Sequence, residues 1–203
     1  MLRILAVIAF FLSLLMASTV AMAAQDDAVA EIEPPDPALC TLQPRTTEEL
    51  QQLVASRGPE PQASPTPLPD PFEMPEGFSL FEDERTEVEK DLLRAVSCFN
   101  TGDPLKVFAT YTDAYVLKLI DQLGGLDEEV EAVLSTVRPL EPKEYIVILS
   151  IEDPVLINDG RVVVVVSGDD PADDNPPGPR LFYLEEVLPG RWLIDDVIEV
   201  ELE

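Results

Sequence analysis

Apolar residues recur at helical spacing between residues 83 and 100. Intervals of three and four residues separate them, which is typical of one buried helix face. Thr86 and Glu89 form a capping-box pattern near the start of this predicted helix, and Gly102 suits the left-handed position that ends it. The apolar positions are Val88, Leu92, Ala95, Val96 and Phe99.

Two more helices are predicted beyond this point. Asp103 is placed to cap the second helix and Pro104 to be its first residue, so two helices meet at a fixed corner. Apolar and aromatic residues continue the second helix until the glycine pair 124–125 breaks it. The third helix is predicted for residues 128–135, with Asp127 as its N-cap.

After Pro142 the pattern changes to runs of β-branched residues, which are typical of strands. Short turns between successive runs predict an antiparallel meander, and Pro154 predicts a bulge or kink because proline cannot donate to the ladder. Helices followed by a meander predict an α+β fold with the helices on one face of the sheet. The four predicted strands are residues 145–157, 161–168, 181–187 and 192–200.

The residues before the first long helix predict an extension to this domain. Residues 24–39 are acidic and proline-containing, so we expect them to be disordered. Residues 40–57 predict a short helix at about 47–56, which begins with the capping-box pair Thr46 and Glu49. The proline-rich residues 58–82 predict an extended tether without hydrogen-bonded structure, and the alternative is a proline-rich ligand for a binding domain.

The first 23 residues have the layout of a secretory signal peptide. An early positive charge at Arg3 precedes an apolar run and small residues that include Ala21 and Ala23. The alternative is an uncleaved anchor, because residues 4–24 carry no charge and are about long enough to cross a bilayer. We expect the rest of the chain outside the cytoplasm, secreted if the segment is cleaved and membrane-anchored if it is not.

Charge and composition exclude several classes of function. The chain has 13 Lys and Arg against 40 Asp and Glu, a net charge of −27, which repels phosphate backbones and anionic headgroups. We therefore expect no nucleic-acid partner and no membrane contact beyond the signal segment. Histidine is absent, which excludes Ser-His-Asp and Cys-His catalysis and His-bearing zinc sites. No cofactor is expected.

The two cysteines, Cys40 and Cys98, favour a single disulfide in an exported chain. The bridge would close a loop of about 57 residues and contribute about 4 kcal/mol through loop-closure entropy. It would tie the short N-terminal helix to the first long helix. The alternatives are two separate buried thiols or an intermolecular bridge.

From about Asp83 to Glu203 the chain resembles the NTF2-like superfamily, and more narrowly its SnoaL-like branch. The likeness is carried by a long helix that ends in CFNTGDP, a following helix that runs into YTDAY, and a last strand entered through GRWLIDDV. The resemblance implies a cone, in which a curved antiparallel sheet wraps the helices and leaves a pocket at its open end. Its members include polyketide cyclases, ketosteroid isomerases and dehydratases, and also non-catalytic binding or dimerising modules, so the fold does not decide the function.

Several residues are candidates for that pocket and its chemistry. In an isomerase-like set, a carboxylate such as Asp113 or Asp121 takes a proton while the phenol of Tyr111 or Tyr115 stabilises an oxyanion. The alternative for Asp113 is a helix cap. The aromatic candidates for the pocket lining are Phe108, Tyr111, Tyr115, Tyr183 and Trp192. Trp192 could line the pocket together with Phe182, Leu184, Ile194 and the valines 162–166, but these residues alternate as a sheet core does, so the alternative for them is the core.

The loop SGDDPADDNPPGP is rich in the oxygen ligands that Ca²⁺ prefers. An EF-hand register that starts at Asp173 puts Leu184 at the twelfth position, where Glu is needed, so that template fails. We interpret the segment as a solvated hairpin loop without a metal site. Its candidate ligands are Asp169, Asp170, Asp173 and Asp174.

Five consecutive valines at residues 162–166 place apolar side chains on both faces of one strand. The helices can cover one face, and a second copy of the chain is the candidate for the other, which predicts a homodimer through the sheet.

The leading function is a secreted, non-catalytic NTF2-like module that binds a small apolar ligand or a protein partner. The alternatives are a small-molecule lyase or isomerase with a pocket carboxylate, and a structural accessory of the cell envelope.

Overall fold

The computed structural model describes residues 33–57, 75–171 and 178–200. Together these residues form an α+β fold, as the sequence predicts. Their α-helices are α1 Thr47–Ser56, α2 Glu82–Asn100, α3 Pro104–Phe108, α4 Asp113–Gln122 and α5 Glu128–Leu134, with 3₁₀ turns at Pro37–Leu39 and Pro142–Glu144. Their strands are β1 Gly77–Ser79, β2 Val147–Ile151, β3 Val155–Ile157, β4 Val162–Asp169, β5 Gly178–Leu188 and β6 Arg191–Glu199.

The six strands form one open antiparallel sheet in the order β1-β3-β4-β5-β6, and β2 also pairs with β4. β2 lies against the end of β4 and β3 against its start, so the predicted strand 145–157 is two segments along one edge. Pro154 lies between them and supplies no N–H to the ladder. The N–H of Glu152 still donates to the carbonyl of Val165 at 2.9 Å, which keeps the interrupted strand in place.

Helix α2 begins four residues before Thr86, the N-cap that the sequence pattern predicts. The N–H of Phe81 donates to the Glu84 carboxylate at 3.1 Å, and acidic residues fill the first turn, where the helix dipole favours negative charge. Thr86 lies inside the helix, and its hydroxyl donates to the carbonyl of Glu82 at 2.8 Å. The pair Thr86 and Glu89 is therefore not the start of the helix.

The predicted second helix is two helices, because residues 109–112 leave the helical path. The N–H of Thr112 donates to the carbonyl of Ile194 at 2.9 Å, and the N–H of Ile194 donates to the carbonyl of Thr110 at 3.0 Å. These bonds form a short parallel bridge between Tyr111 and β6. Thr112 then caps α4 by accepting from the N–H of Tyr115 at 3.2 Å, so tertiary pairing overrides the helical pattern here.

The N-terminal segment is part of the fold. Helix α1 has the predicted bounds and capping box, and its Leu50 is fully buried in the core. Residues 33–39, which fall in the segment predicted to be disordered, include the first 3₁₀ turn, and the Asn100 side chain donates to the carbonyl of Pro35 at 3.0 Å. Residues 77–79, which fall in the predicted tether, pair with β3. The predicted signal segment, residues 24–32 and residues 58–74 lie outside the described residues.

The disulfide between Cys40 and Cys98 is confirmed, with a Cα to Cα distance of 4.7 Å across 58 positions of sequence. It joins the N-terminal segment to the buried face of α2. Such bridges are typical of proteins that fold in oxidising compartments outside the cytoplasm. Within the described part of the chain, no helix combines the length and the apolar character needed to cross a bilayer.

Valines of β4 alternate between the two faces of the sheet. Val162, Val164 and Val166 pack in one cluster with Val88 and Leu92 of α2. On the opposite face Val163 and Val165 pack with Leu181 and are fully buried within a single chain. A second copy is therefore not needed to remove these two valines from water, and the homodimer through the sheet stays a prediction.

Candidate functional site

A cavity of about 460 Å³ lies between α2, α4 and the helix-facing side of the sheet. Its volume lies within the usual range for small-molecule sites. Most of its wall is aliphatic or aromatic, with polar side chains confined to a few positions. The wall includes Leu92, Ala95, Val96 and Phe99 of α2, Tyr111 and Tyr115, and Ile146, Ile148, Val166, Phe182, Ile194 and Val197 from the sheet and the residue before it.

A strand bridge positions Tyr111 at the cavity, and a helix cap positions Tyr115 there. The bridge to β6 fixes the backbone of Tyr111, and the cap at Thr112 starts α4 so that Tyr115 follows one turn later. Their rings meet edge to face, with centroids 5.0 Å apart, a favourable geometry for aromatic pairs. Phe99 adds a second edge contact to Tyr111, at 6.4 Å between centroids.

Tyr111 is an unusual polar residue in this wall because only 6% of it is exposed. Burial, and to a smaller extent the neighbouring Tyr115, raises the pKa of Tyr111 well above its usual value. Burial followed by the charge of Asp196 also raises the pKa of Tyr115. Both phenols are therefore neutral at physiological pH and available to donate a hydrogen bond.

Charged side chains contribute to the same cavity from α4 and the sheet. Lys118 lies 5.7 Å from the centroid of the Tyr115 ring and pairs with Asp196 at 2.6 Å. Arg180 pairs with Glu199 at 3.4 Å. These pairs are partly exposed, so they contribute little to stability, and they give the polar part of the wall both signs of charge. Gln122 and Asp170 are the other polar side chains of the cavity wall.

Arg45 holds the loop that carries Tyr111 from the N-terminal side. Its Nη2 donates to the carbonyl of Tyr111 at 2.8 Å and its Nε donates to the carbonyl of Phe108 at 2.9 Å. Its backbone N–H donates to the carbonyl of Leu105 at 3.0 Å. No periodicity or motif marks Arg45 in the sequence, so its role is visible only in the structure.

The candidate carboxylates of the isomerase-like set do not line the cavity. Asp113 begins α4 with its side chain 67% exposed and pairs with Arg45 at 2.7 Å. Asp121 pairs with Arg57 at 2.6 Å, and the hydrogen bond from Arg57 lowers the pKa of Asp121. A general base needs a raised pKa and a place beside the substrate. The structure thus brings Tyr111 and Tyr115 together and leaves both aspartates on the outer side of α4.

Three of the aromatic candidates also lie away from the cavity wall. Tyr183 follows Phe182 in β5 and so lies on the opposite face, where it packs with Val163 and Val165. Phe108 is buried in the helical core. Trp192 packs with the cluster of α2 and β4, and its backbone N–H donates to Oδ2 of Asp91 at 2.7 Å. Phe108 and Trp192 are therefore core residues, and Tyr183 is partly buried on the opposite face of the sheet.

The acidic loop is only partly described. Asp169 ends β4 and Asp170 lies at the cavity wall, whereas Asp173 and Asp174 lie outside the described residues. Across the described ranges, no cluster of three or more Asp, Glu, Cys or His side chains could hold a metal ion. The structure therefore supplies no ligand set for Ca²⁺ from the residues that it describes.

The fold and the cavity define the class of protein as an α+β domain with an apolar cavity against its sheet. Comparisons with protein-family models, with curated proteins and with solved structures find no match. The function must therefore be inferred from the cavity and from the residues that line it.

Proposed function

We propose that this protein is an extracytoplasmic, non-catalytic binding module that takes a small apolar ligand into the 460 Å³ cavity. The observation that carries the proposal is the composition of the cavity wall, which is mainly aliphatic and aromatic with a few polar groups. Sites of this kind obtain affinity from apolar burial and orientation from the polar groups.

The placement of the carboxylates supports binding without catalysis. Asp113 and Asp121 are each paired with an arginine of the N-terminal segment and do not line the cavity. The sequence has no histidine to replace them as a base. The lyase or isomerase alternative would then depend on Asp170 or Glu199, the two carboxylates among the described residues of the wall.

We also propose that the domain is NTF2-like. The support is the order of the elements, with helices first and then an antiparallel sheet that stays open, and an apolar cavity between them. An experimental structure with a flat sheet and helices that do not lie inside its curve would contradict this assignment.

The binding proposal is tested with 1-aminoanthracene, a small neutral dye whose fluorescence rises in apolar sites. Val96 lines the cavity from α2, whereas Leu93 is 40% exposed on the outer side of the same helix. We expect Val96→Trp to fill the cavity and weaken dye binding at least tenfold. The matched control Leu93→Trp should bind like the wild type, and circular dichroism should show that both variants are folded.

Two results would contradict the proposal. One is a wild-type chain that binds neither the dye nor any apolar competitor at micromolar concentration. The other is equal dye binding by Val96→Trp and the wild type, which would place the dye outside the cavity. Turnover that depends on Asp170 or Glu199 would instead favour the enzyme alternative.

A further inference from the structure

A second, smaller cavity of about 210 Å³ adjoins the main one. The two cavities share Phe99, Ile146 and Asp170 in their walls. By itself the smaller cavity is below the usual size of a small-molecule site. The three shared residues place it directly beside the main cavity.

Burial and polarity change along this combined space. At the main cavity, Leu92 and Tyr111 are 2% and 6% exposed. Phe99, at the junction, is 36% exposed, and the Arg138 side chain in the smaller cavity is 71% exposed. The part of the main cavity around Leu92 and Tyr111 is therefore buried and apolar, whereas its charged wall residues Lys118, Arg180 and Glu199 are partly exposed. The smaller cavity carries the exposed Arg138 with Glu144.

The junction is held by buried hydrogen bonds. Asn100 is 1% exposed, its Oδ1 accepts from the N–H of Ile146 at 2.8 Å, and its Nδ2 donates to the carbonyl of Ile146 at 3.2 Å. The N–H of Arg138 donates to the carbonyl of Gly102 at 2.9 Å. Both sides of the smaller cavity are thus anchored at the end of α2, so the fold itself fixes its walls.

We propose that the ligand is an elongated single-chain amphiphile with a neutral polar head. Its apolar chain lies in the main cavity and passes Phe99 and Ile146, and its head lies beside Arg138, Glu144 and Asp170. The proposal rests on the proposed binding function and names the ligand class for the same site.

The charges favour a neutral head over an anionic one. Arg138 is already paired with Glu144, and Asp170 adds a second carboxylate to the same wall. The net charge of the chain is −27, which opposes the approach of an anion. A hydroxyl or amide head can donate to these carboxylates and accept from the arginine without breaking an ion pair.

The test measures displacement of 1-aminoanthracene from the full chain by 1-alkanols of 8 to 14 carbons. Burial of one methylene contributes about 0.8 kcal/mol, which is about a fourfold gain in affinity per carbon. We expect this gain to continue through the series in the wild type. Leu140 lines the smaller cavity, so Leu140→Trp should leave the shortest alkanol unaffected and weaken the longest at least tenfold. Val137→Trp is the matched control, since Val137 is 55% exposed and lines neither cavity.

Each contrary result has a separate meaning. Affinities that stop rising at the same length in the wild type and in Leu140→Trp would overturn the role of the smaller cavity. Fatty acids that bind more tightly than alkanols of equal length at pH 7.5 would overturn the neutral head. Failure of every alkanol and of the dye to bind would instead overturn the proposed function, and this proposal with it.

Discussion

The guanidinium of Arg45 donates to the backbone carbonyl of Tyr111 at 2.8 Å, across 66 positions of sequence. The same side chain donates to the carbonyl of Phe108, and the segment that carries it is anchored by the disulfide at Cys40. A segment that precedes the cavity-forming elements therefore positions a residue of the cavity wall. Truncating the chain before α2 would remove this support.

We expect Arg45→Ala to weaken binding of 1-aminoanthracene about tenfold, which corresponds to about 1.4 kcal/mol. The reason is that the carbonyls of Phe108 and Tyr111 lose their charged donor and the Tyr111 ring is less well fixed. Arg57→Ala is the control, because Arg57 comes from the same segment but pairs with Asp121. Fluorescence titration of the folded variants measures the effect. Equal affinities for the two variants would show that Arg45 does not position the site.

Gly102→Ala should destabilise the fold by about 3 kcal/mol or more. Gly102 has φ of 66°, which a side chain disfavours by about 1 to 2 kcal/mol, and an added Cβ would lie 1.8 Å from the carbonyl oxygen of Arg138. Gly160→Ala is the matched control, because its φ is 89° but the space around it is open. Urea denaturation should show a loss of only about 1 kcal/mol for the control. Similar losses for both variants would mean that the contact with Arg138 is unimportant.

The double variant Cys40→Ser, Cys98→Ser should lose about 4 kcal/mol of unfolding free energy, because the loop between the cysteines is then open in the unfolded state. Guanidinium denaturation with and without reductant measures this, and reductant should affect the wild type alone. Mass spectrometry of the oxidised protein should find no free thiol. Detection of two free thiols in protein secreted under oxidising conditions would contradict the bridge.

Tyr111→Phe should make the fold less sensitive to alkaline pH. The folded-state pKa of Tyr111 is raised above the usual value of 10.0 by burial, so the unfolded chain loses this proton first. The stability that it contributes is complete below about pH 10 and is lost as the pH rises above that value. Urea denaturation at pH 9 and pH 11 should show a smaller difference for Tyr111→Phe than for the wild type. An unchanged difference would mean that Tyr111 ionises freely in the folded state.

Asp91→Ala should cost about 3 kcal/mol, because it leaves buried partners without their acceptor. Asp91 is 7% exposed and its Oδ2 accepts from the N–H of Trp192. Its Oδ1 lies 2.5 Å from Nη1 of Arg94 and is paired by charge, without hydrogen-bond geometry. The control Glu87→Ala removes an exposed partner of Lys90 on the same helix and should change stability by less than about 1 kcal/mol. Equal losses for Asp91→Ala and Glu87→Ala in urea denaturation would contradict this prediction.

Local patterns in the sequence predicted the features that depend on neighbouring residues. The capping pair Thr46 and Glu49, the helix-ending Gly102 and the corner at Asp103 each act within a few positions of the chain. The interruption at residues 109–112 was not predictable in this way. It depends on hydrogen bonds with Ile194, which is more than 80 positions away.

The sequence by itself determined the α+β class, the bounds of α1 and the absence of histidine chemistry, because caps, periodicity and composition are local or countable. It favoured one disulfide, and the structure decided that the bridge joins Cys40 to Cys98 within the chain. Only the tertiary structure decided which aromatic residues line the cavity. Tyr111 faces the cavity and Tyr183 does not, because long-range pairing with β6 and the alternation of β5 set their directions. Only the tertiary structure placed Arg45 behind Tyr111 and Asp113 outside the cavity, because these contacts join parts of the chain whose separation carries no sequence pattern.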